Sequence, residues 1–496
     1  MSSRRNFLKQ IGMLYGAVLI ADNLLADPYK PIVTSGIKRN LLRVKGVIKD
    51  NSSPIKNVVV SDGVSVTSTN ADGSYQLITE SAQDYIFVSL PSGYNIPQNQ
   101  SGTANFYKPI LKNYKDEVNI NFDLSKTDGD TEHKFLLLAD PQTLDMQDIS
   151  RFNNETINDI NELLKSDSVF HQNVFGVSCG DIMYDNLELF PEYEKAIRKT
   201  NLPFFQVLGN HDVEKLSLTD ETSHQTFQKY FGPRYYSFNK GEIHYVVLDD
   251  IFWFGKYIGY LDQRQINWLK EDLSFVEKGK TVVVFCHIPP YNYNFKRNEE
   301  GSPANSVIVV NRELLYKTLE GYNSYIITGH MHYSEFLTNG GSNIHVCGAA
   351  CGAWWTDNIC TDGTPNGYMI YNAKGSSLEW IYKSTGKNLN HQMRSEIIKN
   401  HSGGFEAITN VWGFNDNDKL FWYENGIKKG SLERFLGYDP LAEKLFRGTD
   451  KPFKHTWVDP IKTDHLFRIN DINPNVEIVL EYLNRFGNTY SEKLLI

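Results

Sequence analysis

The feature that most constrains this chain is a series of short, wholly apolar segments between residues 134 and 371, each followed by polar residues of a restricted kind. Phe135-Leu136-Leu137-Leu138 and residues 174–179, 204–208, 245–248, 282–285 and 325–328 read as strands, while residues 153–165 and 189–200 read as helices. Strands alternating with helices argue for a covered α/β sheet, whose ligands sit at the carboxyl ends of the strands. The residues just after each strand are therefore where chemistry is expected.

Those strand ends carry a coherent set: Asp140-Pro141-Gln142, Gly180-Asp181-Ile182-Met183-Tyr184-Asp185, Gly209-Asn210-His211-Asp212, Cys286-His287 and Gly329-His330-Met331-His332. Singly, each has an ordinary structural reading. An Asp after a strand can cap the next helix, a His can be a satisfied core imidazole, and Gly-Asn is a common turn. Their recurrence in this order, each after an apolar strand, argues against coincidence. The constellation resembles the calcineurin-like metallophosphoesterases over about residues 134–371.

That resemblance implies two metal ions, of Mn, Fe, Zn or Mg. Asp181 would bridge them, Asp140 and His332 would hold the first, and Asn210, His287 and His330 would hold the second. A metal-bridging hydroxide would attack phosphorus. His211 would stay off the metals and assist the leaving group, with Asp212 accepting a hydrogen bond from it. The residue types suit the task, because two cations clamp an oxygen nucleophile and a phosphoryl oxygen for in-line displacement. Two divalent ions, two carboxylates and one hydroxide leave about one net positive charge, so the pocket attracts an anion although the chain is acidic.

Two positions depart from the common family pattern. The first motif usually ends in His and here ends in Gln142, whose carbonyl is a harder ligand that tilts the site toward Mn, Fe or Mg; alternatively Gln142 does not ligate. Tyr184 stands where purple acid phosphatases place a Tyr whose phenolate ligates ferric iron, or it packs against the next helix. Around the site, Arg234 is a candidate phosphate contact, although such an arginine more often pairs with a carboxylate. Trp354 and Trp355, just beyond two ligands, are candidates for a substrate-pocket wall or for interface core. Cys351 and Cys360 flank that pair, and an exported location would allow a bridge between them. Cys179 and Cys286 read as small core hydrophobes.

The remaining chain divides into three. Ser3-Arg4-Arg5-Asn6-Phe7-Leu8-Lys9 before an apolar run resembles a twin-arginine export signal over residues 1–26, which places the protein in the periplasm or at the cell surface. Residues 38–125 alternate between apolar runs such as Val58-Val59-Val60 and Ile86-Phe87-Val88 and turns at Asp62-Gly63 and Asp72-Gly73, resembling a transthyretin-like β-sandwich. Asp72 reads as a hairpin turn in preference to a calcium ligand. Residues 387–496 form a second β-rich module. Its Asn410-Val411-Trp412-Gly413, Asp439-Pro440-Leu441-Ala442 and Thr463-Asp464-His465-Leu466-Phe467 resemble the C-terminal domain that accompanies exported members of the family, with His465 a structural strand residue.

The 496 residues carry 50 Lys+Arg against 59 Asp+Glu, a formal net charge of -9 that argues against nucleic-acid binding by phosphate neutralisation. No later segment is apolar enough to span a membrane. The expected architecture is a four-layer α/β/β/α metallophosphoesterase domain at residues 131–386 between two β-sandwich-like domains. The expected function is hydrolysis of a small-molecule or glycan- or lipid-linked phosphoester, monoester or diester. The competing reading is a degenerate phosphoesterase fold that binds glycan or polymer.

Overall fold

The structure is a computed structural model. It describes residues 41–80, 83–111, 117–166, 173–400, 403–449, 451, 454–473 and 475–494. The expected export signal at residues 1–26 lies outside the described residues. Among the described residues no helix is long and apolar enough to cross a membrane.

Two sheets face each other in the centre. One runs, in spatial order, through Phe204–Val207, Val174–Cys179, Glu132–Leu138, Gly367–Lys374 and Ser377–Ser384. The other runs through Tyr236–Lys240, Ile243–Val247, Thr281–Phe285, Asn323–Thr328, Ser342–Val346 and Glu335–Asn339. Alternate residues of a strand point to opposite faces, so each apolar strand serves two cores. Phe135 and Leu137 meet Phe285 and Tyr245 of the facing sheet in one core. Leu136 and Leu138 turn outward to Ile160, Tyr193 and Ile197 of the covering helices in a second. On the far side, helix Gln263–Leu273 lays Ile266, Trp268 and Leu269 on the second sheet, and helix Arg312–Leu319 packs beside it. The order of layers is thus α/β/β/α.

The N-terminal module is a two-sheet sandwich built on Leu41–Asp50 and Ser74–Glu80 in one sheet and Val59–Ser61 and Tyr85–Ser89 in the other. In Ser74–Glu80 the strict alternation of buried Tyr75, Leu77 and Thr79 with outward residues marks a sheet with one wet face. Asp72 Oδ1 accepts from the Ser74 N–H at 3.0 Å and closes a turn. The module docks on the helix that carries Trp268, whose Nε1 donates to Ser61 Oγ at 3.1 Å.

The C-terminal module is a second sandwich. Arg394–Lys399, Phe405–Asn410, Thr463–Ile472 and Glu433–Gly437 form one sheet, and Ile427–Ser431, Lys419–Glu424, Ile478–Leu483 and Thr489–Leu494 the other. A buried polar cluster ties it to the catalytic domain. Asp439 caps helix Pro440–Arg447, accepts Arg394 Nη2 on both carboxylate oxygens at 2.7 Å, and accepts Asn410 Nδ2 at 2.9 Å. His465 lies between Asn410 Oδ1 at 2.7 Å and Asp362 Oδ2 at 2.9 Å, which makes it the structural residue expected. Asp362 in turn accepts the Ser334 N–H, two residues beyond His332, so the clamp ends at the loop that carries two expected ligands.

Burial, the largest single effect, would raise the Asp362 carboxyl; the His465 hydrogen bond and charge, with the Ser334 and Thr364 N–H groups, together outweigh it and hold the group below its ordinary 3.8. A depressed carboxyl contributes stability above its unfolded pKa and loses it as pH falls through the folded value. His465→Ala should therefore cost about 3–5 kcal/mol near neutral pH, by removing one partner of a buried pair. Denaturant unfolding as a function of pH checks this: the gap between wild type and variant should narrow below about pH 4, and a gap independent of pH contradicts it.

Candidate metal centre

Five strands deliver their following residues to one point. Asp140 follows Glu132–Leu138, Asp181 follows Val174–Cys179, and Asn210 and His211 follow Phe204–Val207; His287 follows Thr281–Phe285, and His330 and His332 follow Asn323–Thr328. Three of the six expected ligands thus come from each sheet, and the centre sits on the seam between them.

The loops are bent sharply to aim these side chains. Asp140, Gln142, Asp181, Asp185, His330, His332, Trp354 and Trp355 all hold positive φ, eight of the sixteen non-glycine residues that do so among the described residues. Such backbone is costly for a residue with a Cβ and persists only where the surroundings impose it, as at functional sites. Glycine allows close approach here, since a Cβ at Gly209 would collide with Asp181 and one at Gly329 with the Asp140 carboxylate.

The buried donor atoms converge. Asp181 Oδ1 lies 3.3 Å from His287 Nε2, which is 3.2 Å from both Asn210 Oδ1 and His330 Nδ1. His332 Nε2 lies 3.5 Å from Asp140 Oδ1. The outward nitrogen of each imidazole is bonded to a main-chain carbonyl: His287 Nδ1 to Cys179, His330 Nε2 to Ser306 and His332 Nδ1 to Gly352, at 3.0, 2.9 and 2.6 Å. These bonds fix the tautomer, so in the neutral rings the inward nitrogens present lone pairs to one another and to oxygens. Acceptors facing acceptors make an electron-rich point that a cation placed among them would satisfy. Asp181, His287 and His330 alone bring one ligand atom each within 4.8 Å of one another.

Electrostatics agree. Burial lowers His330 to about 3 and His332 to about 4, leaving both rings neutral and ready to ligate. Burial also opposes a charged His287, but the Asp181 and Asp140 carboxylates overcome it and raise this ring to about 10. Without metals a proton there answers the negative field that a cation would answer. Asp140 is pushed well above the carboxylate range by burial, whereas His287 and His211 hold Asp181 well below it against the same burial.

Several expectations need correction. Asp212 does not orient His211: its oxygens accept the N–H groups of Ile182, Met183 and Gly209, and burial with the Asp181 charge pushes it up to about 7. The partner of His211 Nδ1 is Asp185 Oδ1, at 2.6 Å, and Lys215 Nζ holds the same oxygen at 2.8 Å. Gln142 turns its amide nitrogen to Asp181 Oδ2 at 2.9 Å, which makes it a positioning partner of the expected bridge and leaves its carbonyl facing Cys351 Sγ. Tyr184 stacks its ring on His211, with centroids 4.6 Å apart, and burial with the Asp185 and Asp181 charges raises its phenol.

Arg234 pairs with Asp249, and Asp220 lies 3.9 Å away, so its guanidinium is engaged by carboxylates. Trp354 stacks on His332 at 4.0 Å, as a wall residue would, whereas Trp355 is core, donating Nε1 to the Pro141 carbonyl. All five cysteines are buried free thiols, so Cys351 and Cys360 form no bridge. Asp250, not singled out in the sequence, accepts the N–H groups of His287 and Ile288 and fixes that ligand loop from behind.

Three family models match the chain: N terminal of Calcineurin-like phosphoesterase at residues 42–127, Calcineurin-like phosphoesterase at residues 133–334, and C terminal of Calcineurin-like phosphoesterase at residues 344–490. The chain belongs to the calcineurin-like phosphoesterases, a class of metal-dependent phosphoester hydrolases. Purple acid phosphatase 15 of Arabidopsis thaliana is 29% identical over 153 residues, 27% of this chain and 25% of that protein, so the match spans about a quarter of that relative. Among solved structures, purple acid phosphatase PPD1 of yellow lupin (Lupinus luteus) gives a TM-score of 0.37 at 11% identity over 66% of this chain and 67% of its own. GAP50, the anchor in the inner membrane complex of Plasmodium, gives 0.36 at 15% identity over 52% and 86%.

If Gln142 orients Asp181, Gln142→Ala should weaken metal binding about 10–100-fold, the usual cost of losing a residue that positions a ligand. Competition with a chelator measures this, and an unchanged affinity contradicts the role.

Proposed function

We propose that this chain hydrolyses phosphoesters with two metal ions held by Asp140, Asp181, Asn210, His287, His330 and His332. The observation that carries the reading is the set of three imidazoles, each tied outward to a main-chain carbonyl and each turning its other nitrogen toward oxygen or nitrogen acceptors. When bound, the cations supply positive charge for the phosphate and lower the pKa of water to make a nucleophile available near neutral pH.

The remaining steps fall to side chains. His211 Nδ1 faces Asp185, so its Nε2 points to the centre, 4.0 Å from Asp181 Oδ2. From there it can donate a proton to the departing alkoxide. Its main-chain N–H donates to Asp181 Oδ1 at 2.8 Å, which ties the proton donor and the bridging carboxylate to one geometry. The stacked Tyr184 ring fixes the imidazole plane. Lys215 Nζ also bonds the Asn210 carbonyl at 2.9 Å, so one ammonium braces both the donor's partner and a ligand's main chain. The proposed substrates are small-molecule or glycan- or lipid-linked phosphoesters.

The metal-loaded protein should turn over phosphate monoesters or diesters. His211→Ala should lower kcat about 10²–10⁴-fold without loss of metal, and Asp185→Asn should lower it less. Two tightly bound metals with no turnover of any ester in a parallel screen of Mn- and Fe-loaded protein would contradict the reading and favour a binding protein on the same fold.

A further inference from the structure

One side of the metal centre is lined by a continuous arc of aromatic rings, and its middle comes from the C-terminal module. Trp354 stacks on His332 with planes 16° apart and centroids at 4.0 Å. Trp457 meets Trp354 edge-on at 4.6 Å, and His455 meets Trp457 at 5.6 Å. Tyr184 lies 5.6 Å from His455 and stacks on His211 at 4.6 Å. The arc thus leads from an expected ligand of the first metal to the proton donor, the two flanks between which a phosphoryl group and its leaving oxygen would lie.

The segment at residues 454–458 is firmly held. Lys454 pairs with the buried Asp148 carboxylate. Val458 is buried with Ala353 and Ile359 of the loop that carries Trp354. The Ile461 N–H donates to the Thr361 carbonyl at 3.0 Å. His455 takes positive φ, a bend that turns the chain back over Tyr184. Trp457 nevertheless stays 56% exposed. A single exposed tryptophan is ordinary; this one is fixed by two aromatic neighbours and continuous with the reaction centre. The cations near the arc are already neutralised, Lys454 by Asp148 and Lys215 by Asp185. Such a surface suits the face of an uncharged ring, not a second anion.

We propose that Trp457 and His455 bind the alcohol half of the substrate and that this half carries a neutral ring, a sugar or a nucleoside, laid against the arc. The inference rests on the phosphoester reading above, and the test separates the two. Non-hydrolysable hexose, nucleoside and methyl phosphonates are titrated calorimetrically into the metal-loaded full chain. A ring in either arm should tighten binding about tenfold over methylphosphonate, the scale of one aromatic contact. Trp457→Ala should abolish that gain and leave methylphosphonate affinity unchanged, and Trp457→Phe should keep most of it; the arm that gains identifies sugar or nucleoside. Equal binding of ring and methyl ligands in the wild type, or equal weakening of all ligands in Trp457→Ala, overturns the proposal while the metal-site reading stands. Failure of methylphosphonate and inorganic phosphate to bind at all overturns both.

Discussion

Everything at this centre depends on the seam between two sheets. Three expected ligands come from the ends of one sheet and three from the other, so the site exists only while the sheets hold their register. That register is set by a dry aromatic layer between the sheets: Phe205 stacks on Phe238 at 4.0 Å, and Phe135 meets Phe285 and Tyr245 edge-on at 5.5 and 5.7 Å. Close packing of this kind does not deform continuously, which suits a site whose donor atoms must converge to within a few tenths of an ångström.

Buried carboxylates then stitch the loops to the seam. Asp212 binds two successive N–H groups after Asp181, Asp250 binds those of His287 and Ile288, and Asp362 binds those of Ser334 and Thr364. Burial raises Asp212 and Asp250 to about 7, so both resist ionisation even with these donors. That cost, with the positive φ of Asp140, Asp181, His330 and His332, marks a region organised for chemistry at the expense of local stability.

The strands and ligand positions were legible in the sequence because burial on both faces forces a continuous apolar run, and a parallel α/β arrangement puts the residues after each run at the same edge. Orientation within a loop was not legible. Asp185 and Asp212 stand equally close to their motifs, and only the turn at Asp185, with φ of 64°, decides that Asp185 meets His211 while Asp212 turns into the backbone. Gln142 is similar, since composition cannot say which end of an amide faces the centre. The ring arc was invisible for another reason: Trp354 and Trp457 are more than a hundred residues apart and meet only because the clamp at Asp362, His465 and Asp439 seats the C-terminal module beside the ligand loop.

The C-terminal module is therefore part of the site's construction, reaching His332 through Ser334 and Trp354. The proposed function requires that the seam hold two cations with Asp181 between them. Anomalous diffraction from crystals of the metal-loaded protein tests it most directly. Two peaks are expected, one against Asp140 and His332, the other against Asn210, His287 and His330, and both touching Asp181; a single peak, or peaks away from Asp181, would contradict the account.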